Sequence, residues 1–424
     1  MKRIELQIKA LSPLAISRQK PGGSISECED YIPGSVIRGA VAGEILKQSG
    51  QQFIDLSKNG GDFQALFLDD EPAIFQNAYP ANVAEKSSIF NQKSIKKIQL
   101  LPTTALSSKN NPGFCRKRNG KYSTDNNGVF DSLIDRFCSD YHGLAYDPNC
   151  PKDGKRVEPY SGFYSTINGM YYNASLSKRL LTKVGINRRR ATSEEEILYS
   201  IEVINESGSN NKNHSFFRSY ILFPDNLENI GDKLHQFINN NHQTFRLGGS
   251  TSRGLGKVEI NAKIGEFTNN IQEKIELFNS KLDKRWEQWS IFGNSIKELP
   301  QKTYFTLDLQ ADTILTENWQ RTTVISPAML QQFTGVDDSS LEIHTAYSSY
   351  DYRSGWNAAW GLMKDVELIT NKGAVYLFST SHPEKWYSAL ANLELTGVGE
   401  RTCEGFGQVE ICNEFHLVMR EDAV

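Results

Sequence analysis

The sequence predicts an α+β fold built from two copies of one plan, and two observations carry this prediction. The stretch GGSTSRGLGKVEI (248–260) aligns without gaps with GERTCEGFGQVEI (399–411), and seven of the 13 positions are identical. The opening strands also correspond, because apolar residues alternate in RIELQIKAL near residue 3 and in YFTLDLQ near residue 304. Each copy therefore begins with a strand and ends with a glycine loop that leads into a closing strand.

A helix is predicted after the opening strand of the first copy. In YIPGSVIRGAVAGEIL (31–46), a Pro-Gly turn precedes Ser35, the predicted N-cap, and apolar residues then recur at helical spacing. In the second copy we expect a helix from about Asn357, followed by the strand GAVYLFS. A repeated strand, helix and strand with a closing β element is typical of a ferredoxin-like sandwich, which is also the fold of RNA-recognition motifs.

The boundary between the two copies lies near residues 270–300. From Ile271 to Trp289 apolar residues follow one another at spacings of three and four, which predicts an amphipathic helix. Gly293 and Pro300 then interrupt the pattern. We therefore divide the chain into a first domain (1–265) with an insertion at about 80–165, a connecting helix and linker (266–300), and a second domain (301–424).

Composition excludes several classes of protein. The 424 residues are 38% hydrophobic and 23% charged, which is typical of a globular protein of about two domains. No apolar run approaches the ~20 residues of a membrane span, and the N-terminus has no signal-peptide pattern. We therefore expect a cytoplasmic protein without a membrane partner. The six cysteines do not form a disulfide framework in a chain of this length.

The net charge of −3 conceals an asymmetry along the chain. Residues 1–263 carry 34 Lys and Arg against 27 Asp and Glu, whereas the other 161 residues carry 13 against 23. These counts correspond to +7 and −10. The basic part favours a polyanion as partner, and the alternative is that the charges merely follow loop composition.

Several blocks carry a resemblance to a known family. They are the helix start IPGSVIRGA, EPYSGFY (158–164), INRRRATSEEEILYSIEVI (186–204) and SGWNAAWGLMKDVELITNKGAVYLF (354–378). Together with the paired glycine loops, they resemble the RAMP superfamily of CRISPR-associated RNA-binding proteins, and within it the double-RAMP subunit of type III-D effector complexes.

This resemblance implies two tandem ferredoxin-like domains that grip the repeat-derived 5′ tag of a guide RNA in an antiviral ribonucleoprotein complex. The implied partners are the guide RNA and other effector subunits, including the large polymerase-like subunit. Target RNA is a further candidate partner of the basic loops. The acidic second copy is our candidate for docking the neighbouring subunit.

The glycine loops are the first candidate RNA contacts, because a phosphate or ribose can approach a main chain that has no side chain. Arginine, lysine and hydroxyl groups could add hydrogen bonds to the phosphates. The candidates in the first loop are Gly248, Gly249, Ser250, Thr251, Ser252, Arg253, Gly254, Gly256 and Lys257. In the second loop they are Gly399, Arg401, Gly405 and Gly407.

Two alternatives remain open for the loops. Glu400 and Glu404 make the second loop a poorer phosphate site, which faces protein in the alternative interpretation. Either loop could also be a tight turn that needs positive φ. If the glycines serve RNA, valine at Gly254 and Gly256 should leave folding largely intact and weaken RNA binding.

Basic and aromatic residues are the second group of candidates. Arg188, Arg189 and Arg190 are consecutive and cannot all face a core, so they are predicted to bind the phosphates of single-stranded RNA. The alternative is solvated charge neutralised by the acidic run at 194–196. Arg38 lies in the first turn of the first helix, where free backbone N–H groups favour an anion. Trp356 is a candidate for stacking on a base, although most aromatic residues are core residues.

A zinc site is the one metal centre that the sequence suggests. Cys115, Cys138, His142 and Cys150 lie inside the insertion and could provide four ligands. Their spacing is loose and contains no CxxC pair, and CPKDG has Asp153 where the resembling family often has a second cysteine. Unrelated free cysteines are the alternative, and no other cofactor is expected.

The expected role is that of a non-catalytic RNA-binding scaffold. The alternative is a metal-independent endoribonuclease that processes the guide precursor. A histidine would then take part in proton transfer. His142 and His344 are the candidates, although no motif supports either of them.

Overall fold

The computed structural model describes residues 2–18, 27–50, 56, 60–81, 98–115, 117–118, 121–122, 126–167, 169–187, 192–207, 214–265, 270–292, 298–357 and 361–424. The α-helices are α1 (Gly34–Ser49), α2 (Gly61–Phe67), α3 (Leu133–Tyr141), α4 (Glu228–Asn240), α5 (Ile271–Ser290), α6 (Pro327–Thr334) and α7 (Pro383–Thr396).

The strands up to the end of the first copy are β1 (Lys2–Ala10), β2 (Ser17–Arg18), β3 (Glu27–Cys28), β4 (Ile74–Phe75), β5 (Tyr79–Pro80), β6 (Gln99–Leu100), β7 (Ala105–Ser108), β8 (Lys117–Arg118), β9 (Lys121–Tyr122), β10 (Val129–Asp131), β11 (Val157–Pro159), β12 (Phe163–Ile167), β13 (Met170–Ala174), β14 (Lys178–Asn187), β15 (Thr192–Ile204), β16 (Phe216–Phe223) and β17 (Val258–Gly265). Those of the second copy are β18 (Thr303–Leu309), β19 (Leu315–Glu317), β20 (Gln320–Thr322), β21 (Glu342–Tyr347), β22 (Tyr350–Arg353), β23 (Trp356–Asn357), β24 (Leu362–Met363), β25 (Glu367–Thr370), β26 (Val375–Thr380) and β27 (Val409–Ile411).

The first copy is built on an antiparallel sheet in which the strand order is β17-β1-β16-β4. Helix α1 follows β1 and helix α4 follows β16, so the chain order is strand, helix, strand, strand, helix, strand. The alternation predicted in the opening strand is present, because Ile4, Leu6 and Ile8 are fully buried in the core of this copy. The insertion leaves the sheet between β5 and β16.

The second copy repeats this arrangement. Its sheet has the order β21-β26-β18-β27, with α6 after the opening strand β18 and α7 after β26. The two sheets therefore have the same connectivity, in which the opening strand lies between the third and the closing strand. Hence the repeat that is visible in the sequence is a repeat of the whole unit.

One predicted helix cap and one predicted helix are wrong. Helix α1 begins at Gly34 after Pro33, so Ser35 is not its cap. The helix expected from Asn357 is absent from the described part of that segment, where Trp356–Asn357 forms a short strand with Leu362–Met363. The first helix of the second copy is instead α6, whose cap Ser326 accepts a hydrogen bond from the Met329 N–H, with proline at the next position.

The connecting helix α5 completes the core of the second copy. Its apolar residues Ile271, Ile275, Phe278, Leu282 and Trp286 are buried there, at the spacing that the sequence predicts. Helix α3 of the insertion packs into the same core. As a result, a segment inserted in the first copy contributes to the core of the second.

A buried charged cluster joins the insertion to the second copy. The His416 ring lies 3.1 Å from Asp131 through Nδ1 and 2.7 Å from Asp308 through Nε2. Burial disfavours the charged imidazolium, but the two carboxylates outweigh it and raise the pKa of His416 from 6.5 to about 10. The C-terminal segment is therefore held by an ion pair on each side of one ring. No helix in the described part of the chain is long and apolar enough to cross a membrane.

Candidate nucleic-acid interface

The two glycine loops share most of their backbone hydrogen bonds. In the first loop the Gly249 N–H donates to the Ala15 carbonyl at 2.8 Å, and in the second the Glu400 N–H donates to the Ile314 carbonyl at 3.0 Å. Each loop also contains a short 3₁₀ turn, Thr251–Arg253 or Thr402–Glu404. The residues before these turns, Ser250 and Arg401, both have left-handed backbones, with φ of 56° and 58°.

Four of the predicted glycines are needed for the backbone of the loops to pack against neighbouring main chain. Each has positive φ, and a Cβ atom there would collide with a main-chain carbonyl oxygen of a neighbouring segment. The pairs are Gly248 with Ala15, Gly256 with Leu247, Gly399 with Ile314, and Gly407 with Val398. The tight-turn interpretation accounts for these positions. Valine at Gly256 would disturb the loop, so the expectation that this substitution leaves folding intact is wrong.

The tip of the first loop is open to solvent. Gly254 has φ of +85°, and a Cβ atom there would meet nothing within 4 Å. The side chains at Thr251, Ser252, Arg253 and Lys257 are exposed, so a ligand can reach their hydroxyl, guanidinium and ammonium groups. Of the two loops, the first therefore presents the hydroxyl and cationic groups that phosphates require.

The first loop and the long β14–β15 hairpin form one surface. Arg253 donates a hydrogen bond to the Tyr199 hydroxyl, and its guanidinium carbon lies 5.7 Å from the centre of the Tyr199 ring. Leu255 of the loop packs against Val203 near the base of the hairpin. Arg188, Arg189 and Arg190 lie outside the described residues, between the end of β14 and the start of β15. The structure thus places the first loop beside the strands that lead to the arginine triplet.

The second loop lies against the first copy. The Gly34 N–H donates to Asn77 Oδ1 at 2.8 Å, and Asn77 Nδ2 donates to the Gly405 carbonyl at 2.9 Å. A Cβ atom at Gly405 would lie 2.5 Å from Asn77 Oδ1 and 3.1 Å from Gly34 Cα. Gly405 is therefore part of the contact between the copies, which is the alternative interpretation of this loop.

The cations of the second loop and of α1 are already partnered. Arg401 pairs with Glu404 at 2.5 Å and lies over the Phe406 ring. Burial alone would raise the pKa of Glu404, but Arg401 and Lys364 outweigh it and lower the pKa below its usual value. Arg38 donates to the Phe67 carbonyl, and the first N–H of its helix is bonded to Asn77. Asn77 therefore takes the first N–H of this helix, and the Arg38 guanidinium is bonded to Phe67.

Two exposed aromatic side chains lie on β22. Tyr350 and Tyr352 are exposed, and their rings meet edge to face at 6.2 Å between centroids. The backbone of Trp356 lies in β23, where it pairs with that of Met363. Tyr350 is not among the predicted site residues, because nothing in the sequence separates an exposed tyrosine from a buried one in a segment with Tyr347 and Tyr352 close by.

The four predicted zinc ligands are not brought together. Cys138 is buried in the core of the second copy, where burial and then Asp135 raise its pKa to about 12. The His142 ring lies 4.8 Å from the Trp286 ring, whereas Cys115 accepts a hydrogen bond from Lys152 at 2.6 Å. Cys150 is buried elsewhere in the insertion. Among the described residues, no three His, Cys, Asp or Glu side chains are grouped so that they could hold a metal ion.

The candidate histidines sit in protein environments. His344 Nε2 is 2.8 Å from the Ser379 hydroxyl, and burial lowers the pKa of the ring below its usual value. Its ring also packs beside Tyr304 and Phe137. His142 is buried against Trp286.

Comparison with known proteins gives a family and several distant structures. The model of the RAMP superfamily matches residues 7–259. The chain is similar to a chain of the Type III-B Cmr-beta complex bound to cognate target RNA and AMPPnP, with 12% identity, a TM-score of 0.38, and coverage of 88% of this chain and 86% of that one. It is also similar to oligomeric Cmr4 from Pyrococcus furiosus, with 12% identity, a TM-score of 0.25, and coverage of 62% and 99%. Among curated proteins, none matches the chain.

Proposed function

Since the chain belongs to the RAMP superfamily, we propose that it is an RNA-binding structural subunit of a type III CRISPR effector complex. The observation that carries this proposal is the surface shared by the first glycine loop and the β14–β15 hairpin. Exposed Arg253 and Lys257 lie on this surface, and the hairpin leads to the arginine triplet. Cations and hydroxyl groups on an exposed loop can bind phosphates without reading sequence.

The finer assignment is a double-RAMP subunit of the type III-D kind that grips the 5′ tag of the guide RNA. Two tandem ferredoxin-like domains are part of this proposal, and the identical strand order of the two sheets supports them. A repeat-derived tag is the same in every guide, so one site that grips it serves every guide, and phosphate contacts of the first loop would supply part of its affinity.

The two copies have different roles in this proposal. The first copy binds RNA, and the acidic second copy docks neighbouring subunits, among them the large polymerase-like subunit. The charge balance of −10 over the last 161 residues supports this division, because it disfavours a polyanion there. Target RNA remains a candidate partner for the basic hairpin.

We also propose that the chain binds RNA without cleaving it and without a structural zinc. The predicted zinc ligands do not converge among the described residues. His344 is bonded to Ser379, and His142 is buried against Trp286, so neither candidate histidine is presented on the exposed loop surface. The alternative activity, cleavage of the guide precursor without metal, is an outcome of the following experiment.

The test is a binding and cleavage assay with labelled repeat-containing RNA, with and without the 5′ tag, at fixed salt and with a chelator present. Retention of intact RNA that depends on the tag is the expected result. The variant Arg253→Gln/Lys257→Gln should weaken binding, whereas Lys233→Gln, a cation on α4 paired with Asp62, should not. A discrete cut within the repeat would make the chain a processing nuclease. Equal retention of RNA with and without the tag would remove the tag assignment.

A further inference from the structure

The hairpin β19–β20 carries a tryptophan that touches almost nothing. Glu317 and Gln320 are the last paired residues, so the turn consists of Asn318 and Trp319 alone. The Trp319 side chain is 99% exposed, the largest exposed fraction among the large apolar residues described. Burying a tryptophan side chain is strongly favourable in free energy, and no contact within the described part of this chain buries Trp319.

The backbone of the turn makes this placement more unusual. Asn318 and Trp319 have φ of 49° and 65°, which is the type I′ geometry of a two-residue hairpin. This turn favours Asn-Gly, because the second position needs a left-handed backbone that glycine adopts freely. A bulky side chain there is an outlier. An unfavourable residue that gains no contact within its own chain points to a contact outside it.

The base of the hairpin is held firmly. Arg321 donates to Thr316 at 2.5 Å and pairs with Glu367 at 2.6 Å and with Glu400 of the second glycine loop. The hairpin is thereby tied to two other segments of the second copy. A rigid mount lets an exposed indole bind a partner with little loss of conformational freedom.

The charges around the hairpin favour a protein as the partner. Glu317 directly precedes the turn, and Glu367 and Glu400 lie around the guanidinium of Arg321 at the base. Arg401 also acts on Glu400, but its guanidinium is paired with Glu404, so carboxylates still outnumber cations around the hairpin. Such a surface repels the phosphates that accompany a stacked base. It attracts a pocket whose rim carries lysine or arginine.

We propose that Trp319 is the anchor by which the second copy docks a protein subunit, inserting its indole into an apolar pocket with a basic rim. This inference rests on the proposed function, which requires a neighbouring subunit. Aromatic residues that fill a desolvated pocket dominate binding energy at protein interfaces, and tryptophan is prominent among them.

The first step of the test is photo-crosslinking in the assembled complex. The full chain, with an affinity label for purification, is expressed in its host with p-benzoylphenylalanine in place of Trp319. The complex is then purified and irradiated. We expect one covalent adduct that resists ribonuclease and maps to a single peptide with apolar residues flanked by lysine or arginine. An adduct that ribonuclease removes would show RNA at this position and overturn the proposal, as would the absence of an adduct.

The second step measures affinity between the full chain and the purified subunit that was cross-linked. Trp319→Gly should lower the affinity by roughly 30-fold or more, equivalent to about 2 kcal/mol. Its folding should be unimpaired, because glycine suits the left-handed turn. Trp319→Phe should lower the affinity less than Trp319→Gly does. Leu277→Ala, at an exposed apolar residue on α5, is the matched control and should bind as the original chain does.

Unchanged affinity in Trp319→Gly would overturn the proposal. The two proposals fail separately, because tag-dependent RNA retention is measured on the chain alone. Loss of that retention would leave the Trp319 result standing as a protein contact, and loss of the Trp319 contact would leave RNA binding unaffected.

Discussion

The two glycine loops provide a matched pair of positions for measuring the contact between the copies. Gly254 and Gly405 are equivalent in the repeat and have nearly the same φ, +85° and +91°. They differ in their surroundings, because Gly254 faces open space and Gly405 faces Asn77 and Gly34. The perturbation is Gly→Ala at each position in turn.

The expected losses follow from the structure. Alanine in a left-handed backbone costs about 1–2 kcal/mol, and both variants share this cost. At Gly405 the new Cβ atom also lies 2.5 Å from Asn77 Oδ1, so this buried side chain must move and its bonds to Gly34 and Gly405 are broken. Each buried polar group left without a partner costs about 1–3 kcal/mol. Gly405→Ala should therefore lower the free energy of unfolding by at least about 2 kcal/mol more than Gly254→Ala does.

The assay is equilibrium unfolding in urea, followed by far-ultraviolet circular dichroism, with both variants measured beside the original chain. Gly335→Ala at the end of α6 is a further control, because its φ is +69° and a Cβ atom there meets nothing within 4 Å. It should lose about as much as Gly254→Ala. Equal losses at Gly254 and Gly405 would refute the argument, since they would show that the contact with Asn77 contributes no stability.

Three further predictions follow from named residues. His416 has a folded pKa above its unfolded value, so the stability it provides is complete below pH 6.5 and is lost as the pH rises through about 10. His416→Gln should lower the free energy of unfolding by about 3–5 kcal/mol. Urea titrations of this variant at several pH values should no longer show that dependence on pH. Arg253→Gln/Lys257→Gln should reduce the slope of log affinity against log salt by about 1.4 for single-stranded RNA, and an unchanged slope in binding titrations would contradict phosphate contacts. Glutamate at Arg188, Arg189 and Arg190 should lower both the affinity and its salt dependence, measured in the same titrations.

Much of the fold could be predicted from local patterns. The alternation of Ile4, Leu6 and Ile8 identified the opening strand, and the spacing of three and four identified α5, because in each case one face is buried. Helix α6 was not predicted, since eight residues are too few to show a period clearly. Its Ser326-Pro327 start was nevertheless visible in the sequence.

Contacts between distant segments could not be predicted. Helix α3 packs its apolar residues in the core of the second copy, and its Asp135 pairs with Arg285 of α5, 150 residues away in the chain. No local pattern specifies such a partner. The same holds for the loop glycines, whose requirement depends on which carbonyl lies behind each one. Sequence reasoning identified a glycine turn but could not separate the exposed Gly254 from the covered Gly405.

The divergence between the loops can be explained by what covers them. Lys257 of the first loop is exposed, whereas its equivalent in the second loop, Gln408, is buried and lies 3.3 Å from the Tyr79 hydroxyl. A lysine at that position would place an ammonium group in the contact between the copies, and burying a charge without a partner costs several kcal/mol.

Arg253 corresponds in the same way to Glu404, which pairs with Arg401 and Lys364 inside the contact. The residues that keep the backbone shape are therefore common to both loops, and those that determine the partner differ. The first loop has Arg253 and Lys257 on an open surface, whereas the second has Glu404 and Gln408 at the same positions, in the contact between the copies. Gln408→Lys should accordingly weaken the contact between the copies without creating a second RNA site, because Asn77 and Gly34 would still cover the loop.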